Sequence, residues 1–335
     1  MDRFMSKTSL FIATYALLIM RAHLFSHDPL PSWNEGKTKQ ALIEFVQNTS
    51  SIDNKDYLPV EERIATFDQD GTLWTEKPVY TQLSFAINEI SKMSSQHPEW
   101  KDQQPYQAIL EKNLEKMQQF SMQDIEKIVA ATHANMTTNA FQKSVDEWLK
   151  TAKHPRFQRP YTELIYQPML ELIKYLKENK FKVYIVSGGG QDFIRTYSQR
   201  VYGIPVEQVI GSAGKTRYEI KSLTPGSSEP VLIKQPEILF IDDKSGKPEA
   251  IHLFIGKHPT FAAGNSDGDR EMLEWSQASG KNSLQLLVHH DDAIREYAYD
   301  ADSKVGTFSN ALKEHALKNG WIIVSMKNDW KTIFP

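Results

Sequence analysis

Phe67-Asp68-Gln69-Asp70-Gly71-Thr72-Leu73-Trp74 continues the apolar run Ile64-Ala65-Thr66-Phe67. A short apolar run closed by a glycine turn reads as a buried parallel strand. In open α/β sheets the ligand lies outside the carboxyl ends of the strands, so Asp68 and Asp70 are expected to face a crevice from the strand's tip. Two carboxylates one residue apart, one able to attack and the other to move protons, suit a metal-assisted transfer reaction. An Asp-x-Asp-Gly turn alone is common in loops and specifies no chemistry; stretches further along the chain narrow the reading.

The chain around this stretch has 335 residues, enough for one large domain with an insertion or for two modest domains. A net charge of -3 and a pI near 6.4 lack the strongly basic footprint of nucleic-acid or anionic-membrane binders, so any phosphate site is expected to be local. The absence of cysteine excludes disulfides, thiolate metal sites, a cysteine nucleophile and a lipidated cysteine. Arg3 and Lys7 precede an uncharged, mostly apolar segment from Thr8 to Met20. That pattern reads as a secretory signal peptide, residues 1–27, cut between Arg21 and Asp28; at about 20 residues per span it is too short for a permanent membrane anchor. The mature protein is therefore expected to be exported, with no stable anchor.

From Pro31 the pattern is a short amphipathic helix carrying Thr38, Ala41, Leu42, Phe45 and Val46 on one stripe. After Lys77-Pro78 the periodicity turns helical: Val79, Leu83, Ala86, Ile87 and Ile90 make one stripe, and Leu110, Leu114 and Met117 a second. A third, Ile125, Ile128, Val129 and Thr132, opens at Ser121-Met122-Gln123-Asp124, a capping-box-like start, and Phe141, Val145, Trp148 and Leu149 form a fourth. These stripes predict the interior of a small bundle. The breaker-rich stretch from His154 to Pro168 returns the chain to an α/β pattern, giving a core of residues 28–77 and 166–335 with a helical insert of residues 78–165.

In that second part, a helix striped by Met169, Leu172, Ile173 and Leu176 leads to the strand Phe181–Val186 and then Ser187-Gly188-Gly189-Gly190, a phosphate-loop layout. Gln208–Gly211 reads as another strand, Lys215–Gln235 as a hairpin, and Ile238–Ile241 as a further strand entering Asp242-Asp243-Lys244-Ser245-Gly246-Lys247-Pro248. Thr260–Ala263 enters Gly264-Asn265-Ser266-Asp267-Gly268-Asp269-Arg270-Glu271-Met272. Strands at Leu284–Val288 and Trp321–Ser325, with a helix carrying Phe308, Ala311, Leu312 and His315 between them, complete an open sheet covered by helices.

The four motifs FDQDGTLW, IVSGGG, DDKSGKP and GNSDGDREM, in this order, resemble the haloacid dehalogenase superfamily, most closely its phosphoserine-phosphatase-like branch with a helical cap after the first motif. The likeness spans nearly the whole mature chain and extends to exported bacterial phosphatase-like members. It implies a Rossmann-like open parallel sheet with an inserted cap, and an Mg²⁺-dependent phosphatase acting on a small phosphorylated metabolite. Asp68 matches the nucleophile that becomes an aspartyl-phosphate, and Asp70 the general acid/base. Ser187, with the Gly188 amide and Thr72, matches the phosphate contacts. Lys247 matches the charge-offsetting cation, with Lys244 as its rival. The resemblance implies Mg²⁺ held by Asp68, the Asp70 carbonyl and the fourth motif, where Asn265 stands in place of the usual acid; Asp269 aligns with the motif's last acid, and Asp267 is an alternative ligand.

Other readings stay open at this point. A dehalogenase would use Asp68 on carbon, but without the metal or Asp70; a catalytically silent phosphate-ligand-binding protein would keep the same motifs. A calcium loop fails, because its sixth and twelfth positions fall on Arg270 and Ser276 rather than Gly and Glu. Lys77, with Glu76 beside it, occupies the position of the branch's substrate-reading acid, which argues against phosphoserine. His289 and His290 lie just past a strand's end and face either the crevice or a solvated turn; Trp74 and Tyr80 line either the pocket or the core.

Overall fold

The computed structural model describes residues 28–117, 119–224 and 226–335. The segment read as a signal peptide lies outside the described residues. Among them, no helix is long and apolar enough to cross a membrane.

Helix α1 (Lys37–Ser50) and strand β1 (Ile64–Phe67) open the fold. The helical insert follows, with α2 (Thr81–Met93), two short pieces at Tyr106–Leu110 and Leu114–Met117, α3 (Met122–His133) and α4 (Thr138–Thr151). Then come α5 (Gln167–Glu178), β2 (Lys182–Gly190), α6 (Gln191–Arg195), β3 (Val209–Thr224), β4 (Ser227–Phe240), α7 (Gly246–Phe254), β5 (Phe261–Gly264), α8 (Arg270–Gln277), β6 (Leu284–His289), α9 (Asn310–Lys318) and β7 (Ile322–Ser325).

The seven strands lie in the order β4-β3-β2-β1-β5-β6-β7. All pairings are parallel except β3 with β4. The order makes β1 the switch point: Phe67 is in register with Ile185 of β2 on one side and Ala263 of β5 on the other. That topology opens a crevice at the carboxyl ends of the central strands. Strand alternation builds two cores. Ala65, Phe67, Val183, Ile185 and Phe261 pack against α1 and α5 on one face, with Phe67 and Phe261 ring centroids 5.2 Å apart. On the other face Val186, Ala262 and Leu287 pack against α7, α8 and α9. The fold is thus the expected Rossmann-like open sheet between helical layers.

Three details depart from the sequence expectation. Ile238–Phe240 is no separate strand but the end of β4, antiparallel to β3, so the hairpin is longer than its turn residues suggested. The last large helix is anchored by Leu312 and Ala316, while Ala311 is exposed. In the insert, Ala86, Ile90, Trp100, Ile109, Met117 and Ile128 form a small core of their own, whereas Phe141, Val145, Trp148 and Leu149 of α4 join the main one. The start of α3 carries the capping box that its sequence announced: Ser121 accepts from the Asp124 amide while Asp124 reaches back to the Ser121 amide. The end of α3 and the β3–β4 hairpin are tied together, because the Asn135 amide donates to the Lys234 carbonyl and the Lys234 amide to that of Met136, both at 2.9 Å.

Candidate active site

The turn after β1 brings Asp68 and Asp70 to the crevice. Gly71 closes it with a φ of 77°, and a Cβ there would lie 2.2 Å from Asn265 Nδ2, so both the backbone angle and the space require glycine. Ser187 stands at the mouth of β2, and its Oγ accepts from the Gly189 amide at 3.1 Å. Lys247, one residue into α7, reaches inward and donates from Nζ to Asp68 Oδ1 at 2.7 Å, Asp269 Oδ1 at 2.6 Å and the Val186 carbonyl at 3.0 Å. It is 2% exposed, so its three donors are fully committed within the protein. Lys244 points elsewhere: it is exposed and sits in a left-handed turn with φ 51°.

The fourth motif divides its side chains. Asp269 spends Oδ1 on Lys247, and Oδ2 accepts from the Asn265 and Ser266 amides at 2.9 and 3.0 Å. Asp267 turns away, accepting from the Ser309 amide at 3.1 Å. Asn265, 1% exposed, faces the first motif: Oδ1 accepts from Thr72 Oγ1 at 3.1 Å, and Nδ2 donates to Glu76 Oε1 at 2.7 Å. Glu76 also accepts from the Tyr299 hydroxyl at 2.6 Å.

Burial pushes the carboxyls of this cluster up. Desolvation, helped by Asp269, holds Asp68 well above its ordinary value, with Lys247 pulling the other way. Asp70 is raised to about 6 by desolvation, against the Trp74 indole that donates to its Oδ1 at 2.8 Å. Glu76 is pushed well above the usual range by desolvation, opposed by Tyr299. Asp242 is buried and raised to about 7, again by desolvation, with the Lys247 charge pulling the other way. Burial disfavours the Lys247 charge, but Asp269 and Asp68 outweigh it and keep the ammonium. The cluster therefore gathers several carboxyls and one ammonium in a buried space, and desolvation above all raises the carboxyls.

The model of the haloacid dehalogenase-like hydrolases matches residues 65–274. The chain belongs to that family. A comparison with curated proteins returned no match. Among solved structures, a protein of unknown function from Bordetella pertussis Tohama I aligns with a TM-score of 0.51 and 14% identity, covering 78% of this chain and 98% of that one. A conserved protein of unknown function from Anaerococcus prevotii DSM 20548 aligns with a TM-score of 0.49 and 16% identity over 79% of this chain and 89% of the other. A phosphoserine phosphohydrolase-like protein from Francisella tularensis subsp. tularensis SCHU S4 gives a TM-score of 0.39 and 16% identity over 78% and 94%. At these identities the likenesses concern the fold.

In this haloacid dehalogenase-like hydrolase, a cavity of about 420 Å³ lies over the cluster, and Asp68, Asp70, Ser187, Gly188 and Lys247 form part of its lining. Thr72 is buried behind them on Asn265. Lys77 does not join the cavity; its ammonium lies 4.3 Å from the Tyr299 ring centroid and donates to Ser303. Trp74 is core, stacked on Tyr197 at 4.8 Å, and also the donor that fixes Asp70. Tyr80 lines the cavity. His290 does neither thing expected of it: it is buried, with Nε2 2.7 Å from the Gly71 carbonyl and Nδ1 3.3 Å from Glu296 Oε2, and it braces the first-motif turn from behind.

Sequence reasoning singled out Asn265 but not its partner Glu76, named there only for its neighbour. The available signal was an acid eight residues after Asp68, facing an amide where an acid is usual. A hard cation fits what is present. Asp68, the Asp70 carbonyl and Asn265 Oδ1 are oxygen donors, and the Glu76 contact fixes the Asn265 amide so that its oxygen lies on the Thr72 side. Among the described residues no group of three or more His, Asp or Glu forms a metal cage.

Proposed function

We propose that this hydrolase is an exported, Mg²⁺-dependent phosphatase that hydrolyses a small phosphomonoester through an aspartyl-phosphate on Asp68. The observation that supports it most is the pair of first-motif carboxyls with different surroundings: Asp68 clamped to Lys247 at 2.7 Å, and Asp70 held by Trp74 with a carboxyl raised to about 6. An Asp68 oxygen attacks phosphorus, the bond from phosphorus to the alkoxide oxygen breaks, and Asp70 delivers its proton to that oxygen. In the second half Asp70 takes a proton from water, the water oxygen bonds to phosphorus, the bond to Asp68 breaks, and phosphate leaves. Lys247 offsets charge on Asp68, while Ser187 and the Gly188 amide hold a phosphoryl oxygen. Asp68, the Asp70 carbonyl and Asn265 would hold Mg²⁺, which when bound offsets the charge of carboxylates and phosphate. Export rests on the Arg3–Met20 pattern alone.

The test is phosphate release from nitrophenyl phosphate with and without Mg²⁺, comparing wild type with Asp68→Asn and Asp70→Asn. The expected result is metal-dependent turnover lost in both variants. Full activity in Asp68→Asn, or turnover indifferent to chelation, would overturn the proposal. For export, mass spectrometry of the mature protein should find an N-terminus between residues 22 and 28; a mature chain that still begins at Met1 contradicts cleavage.

A further inference from the structure

The part of the cavity wall contributed mainly by the helical insert has a different chemistry from the Asp68 cluster. Leu83 of α2, Ile125, Ile128 and Val129 of α3, Phe141 of α4 and Ile238 of β4 line it. Leu83, Ile125 and Val129 are only half-buried, so these side chains present apolar surface to a space able to hold a ligand. The polar groups beside them have at least one partner each. Lys234 donates to Asp192 and lies 4.8 Å from the Phe141 ring centroid, and Gln82 Oε1 accepts from the Gly190 amide at 2.7 Å. At His133, 5% exposed, Nε2 has no hydrogen-bond partner. Thr132 Oγ1 lies against both the Ile128 carbonyl, at 2.7 Å, and His133 Nδ1, and its one proton serves one of the two. Nε2 therefore accepts or donates according to the tautomer, on a residue that lines the cavity.

We propose that the substrate's alcohol portion is apolar and about the size of a fused aryl group, and that it carries a hydroxyl, able to donate or accept, that meets His133 Nε2. This deepens the phosphatase reading and rests on it. A polar alcohol such as serine or a sugar would set part of its polar surface against the side chains of Leu83, Ile125, Ile128 and Val129, which have no group to receive it. An aryl group instead removes apolar surface from water on both sides.

The experiment measures kcat/KM by phosphate release from naphthyl phosphate, hydroxynaphthyl phosphate, phosphoserine and glycerol phosphate, using the full chain with Mg²⁺. Naphthyl phosphate should exceed the polar esters by about 10-fold or more, and Val129→Gln and Leu83→Gln should each shrink that ratio. The hydroxynaphthyl ester should gain a further ~2- to 10-fold, a gain absent in His133→Phe. Fluorescence titration of naphthyl phosphate into Asp68→Asn reads binding without turnover and should show the same loss on adding Val129→Gln. Phosphoserine or glycerol phosphate matching naphthyl phosphate overturns the apolar assignment while leaving the phosphatase reading standing. No preference for the hydroxyl-bearing ester overturns the role of His133. No phosphate from any ester overturns the phosphatase reading itself.

Discussion

Lys247 shows how much one side chain decides here. Its ammonium neutralises Asp68 and Asp269 where water is excluded, so Lys247→Met would leave both carboxylates buried without their counter-charge. Breaking a buried pair from one side costs about 3–5 kcal/mol, and urea unfolding should show a loss of that order alongside lost turnover. A loss below about 1 kcal/mol would mean that the cluster relaxes or takes up protons at little cost. His133 makes a pH prediction. Burial, with the nearby Lys234 charge, lowers it from the ordinary 6.5 to about 3. As pH falls through that window the unfolded chain binds the proton first, so stability is full above about 6.5 and is lost toward 3. Between about pH 6.5 and pH 5 the loss from this residue is at most ~2 kcal/mol. Urea midpoints should fall over that range in wild type, and less in His133→Phe; equal slopes would contradict a neutral buried imidazole. His133 could not have been found from sequence, because its environment is made by α3, α4 and the β3–β4 hairpin together.

At the scale of elements, the strands were legible because each buried run ends at a glycine or polar motif, and the motif order fixed which strand tips meet. The β3–β4 hairpin was legible over Lys215–Gln235, but its continuity with the strands read separately at Gln208–Gly211 and Ile238–Ile241 was not. The insert's stripes were read as bundle interior: Ala86, Ile90, Met117 and Ile128 do form the insert's own core with Ile125 packed against it, while Leu83 and Val129 line the cavity half-buried. Periodicity marks a face that avoids water, and a ligand cavity satisfies it as well as a core does. His290 links elements rather than residues, since it joins the end of β6 to the first-motif turn. His290→Phe should leave the Gly71 carbonyl and Glu296 without their partner, costing about 1–3 kcal/mol and slowing turnover through a loosened turn. A variant with unchanged unfolding midpoint and unchanged kcat would remove His290 from that role.

For the whole molecule, the family match and the seven-stranded sheet establish a haloacid dehalogenase-like hydrolase, and the charge balance of its centre bears on the metal. Binding a divalent cation only in the folded state stabilises it by mass action, about 2.7 kcal/mol at a hundredfold excess over Kd. Thermal melts with Mg²⁺ against chelator should therefore show an upward shift, reduced in Asn265→Ala and in Glu76→Gln, which releases the amide. Identical melts in wild type with and without Mg²⁺ would contradict the ligand assignment irrespective of any activity. The central claim is the covalent step on Asp68. The most direct measurement is acid-quenched turnover of nitrophenyl phosphate by wild type and Asp70→Asn, followed by peptide mass spectrometry. The account predicts a phosphoryl group on Asp68, accumulating in Asp70→Asn because nitrophenolate leaves without an acid while hydrolysis of the adduct lacks its base. Phosphate release with no phosphorylated Asp68, or a phosphoryl group on another residue, would contradict it.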